Sequence, residues 1–302
     1  MSSRYDIRSA RTCFIFNPHS GHNRRDPYLL DRTRAFITEH KLPAEVRLTE
    51  RPRHATDLAR AAIAEGCELV VAIGGDGTLN EVAAALVDSP AALGLIPCGS
   101  GNGLGRHLGI PDPGRGAYRT LLDGRIRAID TGVANGHPFF NAMGIGFDAE
   151  ISSRFNHLTR RGLSAYVRTG LSAWFGYQPQ TYAIANGTSE LETRAFIVAV
   201  ANSDQYGNDC FIAPGASVDD GQLNLTVLKH VSVLNAAPLA WRLFRGRLDG
   251  SPQAVRLTGA HFTLQRAHAG PIHTDGEVHE TGTTIDIAVK PRSLRVLVPS
   301  ER

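Results

Sequence analysis

The run Val70-Val71-Ala72-Ile73-Gly74-Gly75-Asp76-Gly77-Thr78-Leu79-Asn80-Glu81-Val82 constrains this chain most. An apolar strand runs into three glycines and from there directly into a helical pattern. Glycines let the backbone turn sharply and approach a ligand with no Cβ in the way, and a helix start offers unpaired N–H groups to an anion. Asp76 adds a carboxylate and Thr78 a hydroxyl. The stretch reads as a phosphate-binding turn, but it is neither the P-loop, since no Gly-Lys-Ser/Thr follows, nor the G-x-G-x-x-G fingerprint. By itself it also satisfies a tight strand-to-helix turn capped by Asp76 or Thr78.

Two more strands end the same way. Thr12–Asn17 is apolar and leads into Pro18-His19-Ser20-Gly21, where Asn17, Ser20 and Gly21 offer side-chain and backbone donors or form a plain Asn-Pro turn. Leu93–Pro97 leads into Cys98-Gly99-Ser100-Gly101-Asn102-Gly103. Between them the periodicity predicts helices over Pro27–His40 and Arg53–Glu65 and a strand over Glu45–Thr49, whose terminal Thr49 is a nucleotide contact or simply a strand end. Strand and helix alternate throughout, the pattern of a doubly wound parallel sheet with ligand loops at the strands' carboxyl ends.

After Gly124 the alternation stops, which places a domain boundary near Asp130. Strands are expected at Arg125–Ile129, Phe139–Met143, Ala195–Ala201, Leu223–Leu228, Val255–Thr258, Ala260–Arg266, Thr284–Lys290 and Leu294–Val298, several of them alternating as half-buried antiparallel strands do. Helical segments are expected at Ala149–Phe175 and Val233–Leu248. The second domain therefore reads as a sandwich or barrel-like sheet, and 302 residues suffice for two domains of roughly 130 to 170 residues each.

Composition excludes little but excludes it clearly. A net charge of +3 is too small to argue for nucleic acid, and no uncharged apolar run approaches the ~20 residues that span a bilayer, so any membrane contact is expected to be peripheral. Basic residues cluster at Arg154–Arg168 and Arg242–Arg247; these are solvated helix faces or patches facing anionic lipid. Cys13, Cys67, Cys98 and Cys210 lack metal-ligand spacing and read as free thiols in a reducing cytoplasm, and no secretory signal is visible at the N-terminus.

Four separated motifs carry a resemblance: Phe16-Asn17-Pro18-His19-Ser20-Gly21, Gly74–Glu81, Pro97-Cys98-Gly99-Ser100-Gly101-Asn102, and Asp275-Gly276-Glu277. On these the chain resembles the diacylglycerol kinase catalytic family of bacterial lipid kinases, relatives of sphingosine and ceramide kinases. The Gly-Gly-Asp-Gly-Thr element alone is shared with NAD kinases and phosphofructokinases. The resemblance implies an N-terminal three-layer α/β ATP-binding domain over residues 1–130, rejoined by a terminal strand at 292–302, and a C-terminal antiparallel β-sandwich over 131–291 that takes the lipid. A cleft between the domains is expected to hold the head group.

The resemblance further marks Asn17, Thr49, Gly74, Gly75, Asp76, Gly77, Thr78, Leu79, Asn80 and Ser100 as ATP contacts, to which the first loop adds Ser20 and Gly21 as candidate donors; Asp76 is also placed on the side of a catalytic Mg²⁺. Asp275 becomes the base that takes the hydroxyl proton, with Glu277 its companion, although Asp-Gly between two strands is equally a hairpin turn. Ser217, Asp220 and Gln222 are implied as ligands of a structural Mg²⁺, where the residues alone read as a turn. Asp148 is a head-group contact or a helix cap. His273 and His279 flank the proposed base and are expected to be solvated. Gly103 stands where many bacterial relatives carry an acid, which brings the third motif closer to sphingosine-type kinases. The expected activity is phosphoryl transfer to a diacylglycerol-like lipid at the membrane surface. A sphingoid-base kinase, an NAD-kinase-like enzyme with a soluble substrate and a non-catalytic lipid or nucleotide sensor are the alternatives, and a homodimer is left open.

Overall fold

A computed structural model describes residues 4–20, 23, 26–111, 115–156 and 177–300. The chain divides into two compact units, Met1–Ile129 with Arg292–Arg302, and Asp130–Pro291. Gly21, most of the basic stretch Arg154–Arg168 and the expected helix beyond Asn156 lie outside the described residues.

The first unit alternates β1 (Thr12–Phe16), α1 (Leu29–Glu39), β2 (Ala44–Leu48), α2 (His54–Ala64), β3 (Leu69–Gly74), α3 (Asp76–Leu86), β4 (Ala92–Pro97), α4 (Gly103–His107) and α5 (Arg115–Asp123). Its strands run parallel in the order β2-β1-β3-β4. Every residue of β1, β3 and β4 is buried, as expected of parallel strands covered on both faces. Helix α3 turns Thr78, Leu79, Val82, Ala83 and Leu86 inward at helical spacing. The core joins Phe14 and Phe16 with Val71, Ile73, Ile96, Leu29 and Leu121, and each such large side chain contributes about 1.5–3 kcal/mol on burial. Among the described residues strand β2 pairs only with β1, and this edge carries Arg47, which bonds Glu45 and Glu65 at 2.5 Å each. Charge on an edge discourages pairing with another chain.

The second unit begins within β5 (Arg125–Ala134), continues through β6 (His137–Phe139), β7 (Ala142–Gly146), α6 (Phe147–Asn156), β8 (Gln180–Ala185), β9 (Glu190–Ala195), β10 (Ile197–Ala201), β11 (Leu223–Leu228), α7 (Val233–Phe244), β12 (Ala254–Gly259), β13 (His261–Arg266), β14 (Gly270–Thr274) and β15 (Glu277–Thr281), and ends within β16 (Thr284–Val298), whose residues from Arg292 onward belong to the first unit. One antiparallel sheet has the order β12-β11-β10-β7-β14-β15; against it packs an antiparallel layer in which β13 pairs with β16 on one side and β8 on the other. Alternation sorts the side chains: Met143, Ile145, Val198 and Val200 point into the core shared with Phe262, Leu264, Ile285 and Ile287, while Ala142, Ala199 and Ala201 face the layer containing Ile212 and Leu239. The fold is thus an α/β domain with a parallel sheet and an antiparallel β-sandwich domain.

Sequence periodicity predicts two strands at the C-terminal end, whereas the structure has one, β16, in which Arg292 adopts φ +49°. Val296 pairs in parallel with Leu93 of β4. None of the four cysteines forms a disulfide, and Cys13, Cys67 and Cys98 are buried.

Candidate active site

In the first unit, the polar loops meet at the carboxyl ends of the parallel strands. Asn17 follows β1; its N–H donates to the Ile73 carbonyl at 3.1 Å and its Nδ2 to Thr78 Oγ1 at 2.8 Å. Its own Oδ1 accepts the His19 N–H. Thr49, buried just past β2, donates its N–H to the Phe16 carbonyl and so sits beside Asn17 on the same edge. Ser20 accepts the Asn23 N–H through Oγ at 3.4 Å. Ser100 is exposed on the loop after β4.

Gly75 caps α3 with extended backbone and, having no side chain, makes no side-chain cap bond; a helix leaves the N–H groups of its first turn without intrahelical partners. The two glycine loops touch backbone to backbone: a Cβ built on Gly99 would stand 3.0 Å from Gly75 Cα and 2.8 Å from Asn102 Oδ1. Asp76 locks them together. Its Oδ2 accepts the Asn102 N–H and its Oδ1 the Gly103 N–H, both at 3.0 Å, so it caps α4 from across the sheet edge. Gly77 is exposed; Thr78 and Leu79 are buried; Asn80 Oδ1 is buried with no hydrogen-bond partner among the described residues. An orphan acceptor in this turn suits a ligand hydroxyl, an amine or a metal-bound water. Sequence reasoning missed Glu81, whose carboxylate accepts the Arg53 and Ala55 N–H groups at 3.1 Å each and holds the start of α2.

In the second unit Asp275 and Gly276, with φ +49° and +86°, form the two central residues of the hairpin between β14 and β15. Both are left-handed, as a two-residue turn matching strand twist requires. The turn aims the Asp275 carboxylate at the segment preceding β7: Oδ2 accepts the Phe140 N–H at 2.7 Å, and Oδ1 the Asn141 and Ala142 N–H groups at 3.0 and 2.9 Å. Burial pushes the carboxyl up to about 6, against the opposing pull of these three donors and of His273. Three N–H bonds alone would hold a carboxylate low; desolvation outweighs them here. A carboxylate near 6 is matched to proton abstraction at neutral pH.

The segment is itself held. Asn202 Nδ2 donates to the Phe140 and Asp130 carbonyls at 3.0 and 2.9 Å, and Ser203 Oγ to Asn141 Oδ1 at 3.0 Å. Asn202 and Ser203 were legible in principle, as a polar pair closing the apolar run 197–201, the same pattern that exposes Asn17.

Asp148, 5% exposed, is the second residue of α6. Its Oδ2 accepts Tyr206 Oη at 2.8 Å and faces His273 Nε2 at 3.2 Å, while Oδ1 accepts the Ala149 N–H. His273 Nδ1 accepts the Gly276 N–H at 3.4 Å, which leaves the proton on Nε2, directed at Asp148. The expectation that His273 is solvated is therefore wrong: it is 4% exposed. Its neighbour across the ladder is Gly144, where a Cβ would lie 2.0 Å from Asp148 Oδ2 and 2.5 Å from His273 Nε2. The missing side chain is what admits both. His279 is half-buried, stacked on His137 at 3.8 Å and 2.8 Å from Thr274 Oγ1. Glu277 is exposed at the start of β15.

Ser217, Asp220 and Gln222 share one turn. Asp220 Oδ1 accepts the Gln222 N–H at 2.9 Å, and Ser217 Oγ donates to Asp219 Oδ1. Buried Asp130, which sequence reasoning missed, accepts the Gly221 N–H at 2.7 Å. The exposed Asp220 carboxylate is a hard oxygen donor of the kind Mg²⁺ takes, so this residue fits that ion in kind. Among the described residues no cluster of three His, Cys, Asp or Glu side chains forms a metal site.

Fold and loops together define a two-domain kinase architecture: a parallel α/β domain with phosphate-type loops, followed by an antiparallel sandwich. Residues 11–134 match the diacylglycerol kinase catalytic domain, and residues 141–298 the YegS C-terminal NAD kinase beta sandwich-like domain. A Pseudomonas fluorescens protein named probable lipid kinase YegS-like is 31% identical over 85% of this chain and 86% of its own length. A Chromohalobacter salexigens protein of the same name is 30% identical over 77% and 76%. A Bacillus anthracis crystal structure described as a diacylglycerol kinase superposes with a TM-score of 0.73 at 19% identity, over 96% of this chain and 97% of that one, a likeness of fold. The chain belongs to the YegS-like family of lipid kinases.

Proposed function

We propose that the protein transfers the γ-phosphoryl group of ATP, with Mg²⁺, to the hydroxyl of diacylglycerol or a related lipid. The observation that carries this is the Asp275 carboxylate, fixed by three backbone donors and raised to about 6. In the reaction the lipid hydroxyl oxygen attacks the γ-phosphorus, its proton passes to Asp275, and ADP departs. The loops around Asn17, Thr49, Gly74–Asn80 and Ser100 hold the nucleotide, with the first turn of α3 presenting N–H groups to phosphate. Mg²⁺, when bound, neutralises charge on the phosphates; Asp76 stands on that side, and Asp220 with the Ser217 and Gln222 carbonyls would hold a structural ion. Asp148 and Glu277 are assigned to head-group recognition and to support of the base.

Gly103 in place of an acid keeps a sphingoid base in view as acceptor. Labelled ATP, Mg²⁺ and a panel of diacylglycerol, sphingosine, ceramide, phosphatidylglycerol and NAD test the reading. Label in a lipid is the expected result; label in NAD and in no lipid would overturn it.

A further inference from the structure

Among the described residues five large apolar side chains are exposed, and three of them sit on α7: Leu234 at 92%, Trp241 at 54% and Phe244 at 52%. Their spacing of seven and three puts them on one helix face. The positions between them on that face, Ala237, Pro238 and Ala240, are exposed and uncharged as well. The helix is anchored from its other side by buried Leu239, and its C-terminal end by the Phe211 N–H bonded to the Leu243 carbonyl. An amphipathic surface helix normally reverses this arrangement, keeping apolar residues inward only.

The ends of the helix are basic. Lys229 precedes it, Arg242, Arg245 and Arg247 follow at its end, and no acid occurs from Lys229 through Leu248. Asp249, the next residue, is engaged by Arg256 at 2.6 Å. Arg247 lies over the Trp241 ring at 5.9 Å, with its charge beside the apolar stripe. Leucine, tryptophan and phenylalanine on one face with arginine at its rim is the composition of a helix that lies in a bilayer interface, where the rings enter the headgroup boundary and the cations meet anionic headgroups.

We propose that α7 is the surface by which this protein docks on an anionic lipid bilayer. The charge pattern selects that partner over a second copy of the chain. A two-fold contact through the same face would bring basic helix ends together, the arginines of one copy against the arginines or Lys229 of the other, so that like charges would oppose the apolar contact. The lipid-kinase reading supplies the reason for a bilayer partner, but vesicle binding does not depend on turnover.

The test uses the full chain with vesicles of phosphatidylcholine alone or mixed equally with phosphatidylglycerol, at low and at physiological salt. Variants are Leu234→Ser/Trp241→Ser/Phe244→Ser and Arg245→Glu/Arg247→Glu. The wild type should bind the phosphatidylglycerol vesicles at least tenfold more tightly than the neutral ones and weaken with salt. Each variant should lose at least tenfold in binding while keeping the wild-type circular dichroism and its transfer to detergent-dispersed diacylglycerol. Wild-type binding by both variants, or equal binding to neutral vesicles, would overturn the proposal. So would a wild-type dimer that the apolar variant turns into a monomer. Absence of transfer to dispersed lipid by the wild type would count against the kinase reading and leave the vesicle result to stand separately.

Discussion

Replacing Asp275 by Asn tests the proposed base in a background that should fold. The position has φ +49°, which Asn tolerates as well as Asp does, so the hairpin keeps its geometry, whereas Ala there would add backbone strain. The carboxyl rises from 3.8 to about 6, and at 1.36 kcal/mol per unit this is about 3 kcal/mol. Its sign follows from linkage: a group bound more tightly to its proton in the folded state adds stability that is fully present below pH 3.8 and is lost as pH rises through 6. Between pH 4 and 7 the wild type should therefore lose about 3 kcal/mol that Asp275→Asn, which cannot titrate, retains. The amide accepts the Asn141 and Ala142 N–H groups but sets a donor against Phe140, at a cost of about 1–3 kcal/mol. Near pH 7 the two proteins should thus have similar stability. Urea melts of both at several pH values read the difference directly, and turnover should fall by about 10²–10⁴-fold. A stability difference that stays flat from pH 4 to 7 would refute the titration argument, and wild-type turnover by the folded variant would remove Asp275 as base.

Gly144→Ala forces a methyl into the space of Asp148 Oδ2 and His273 Nε2; overpacking should cost about 1–3 kcal/mol, read as a lowered Tm. Tyr206→Phe leaves the buried Asp148 carboxylate with one partner fewer and should cost about 1–3 kcal/mol in chemical denaturation. Asp76→Ala strips the acceptor from two N–H groups of the Asn102–Gly103 turn, so the thermal shift produced by ATP should shrink or vanish; an unchanged shift would separate Asp76 from the nucleotide. Transfer should stop in excess EDTA and return with Mg²⁺, and activity that persists in the chelator would exclude the ion from the reaction.

The parallel sheet was legible because β1, β3 and β4 are continuous apolar runs that each end in a polar or glycine turn, and that pattern is local. The expected helices over 27–40 and 53–65 appear as 29–39 and 54–64. What stayed hidden depends on partners distant in the chain. Nothing near Asp76 announces that its oxygens grip residues 102 and 103, and nothing near Asp275 announces the N–H groups of 140–142. His273 was misread because flanking a polar turn resembles exposure; its burial is decided by Gly144 on the neighbouring strand. The final strand reads as two because Arg292 interrupts the alternation; the strand itself runs on, but its partner changes from β13 at Thr284–Ala288 to β4 at Val296.

The backbone contact between Gly75 and Gly99 carries a thermodynamic consequence. Loops that rest on each other with no side chain between them, and are tied by Asp76, have little conformational freedom left to lose. Binding a phosphate there then incurs little ordering entropy. Calorimetry should show nucleotide association with a small entropic penalty, and loosening the contact should weaken affinity chiefly through entropy.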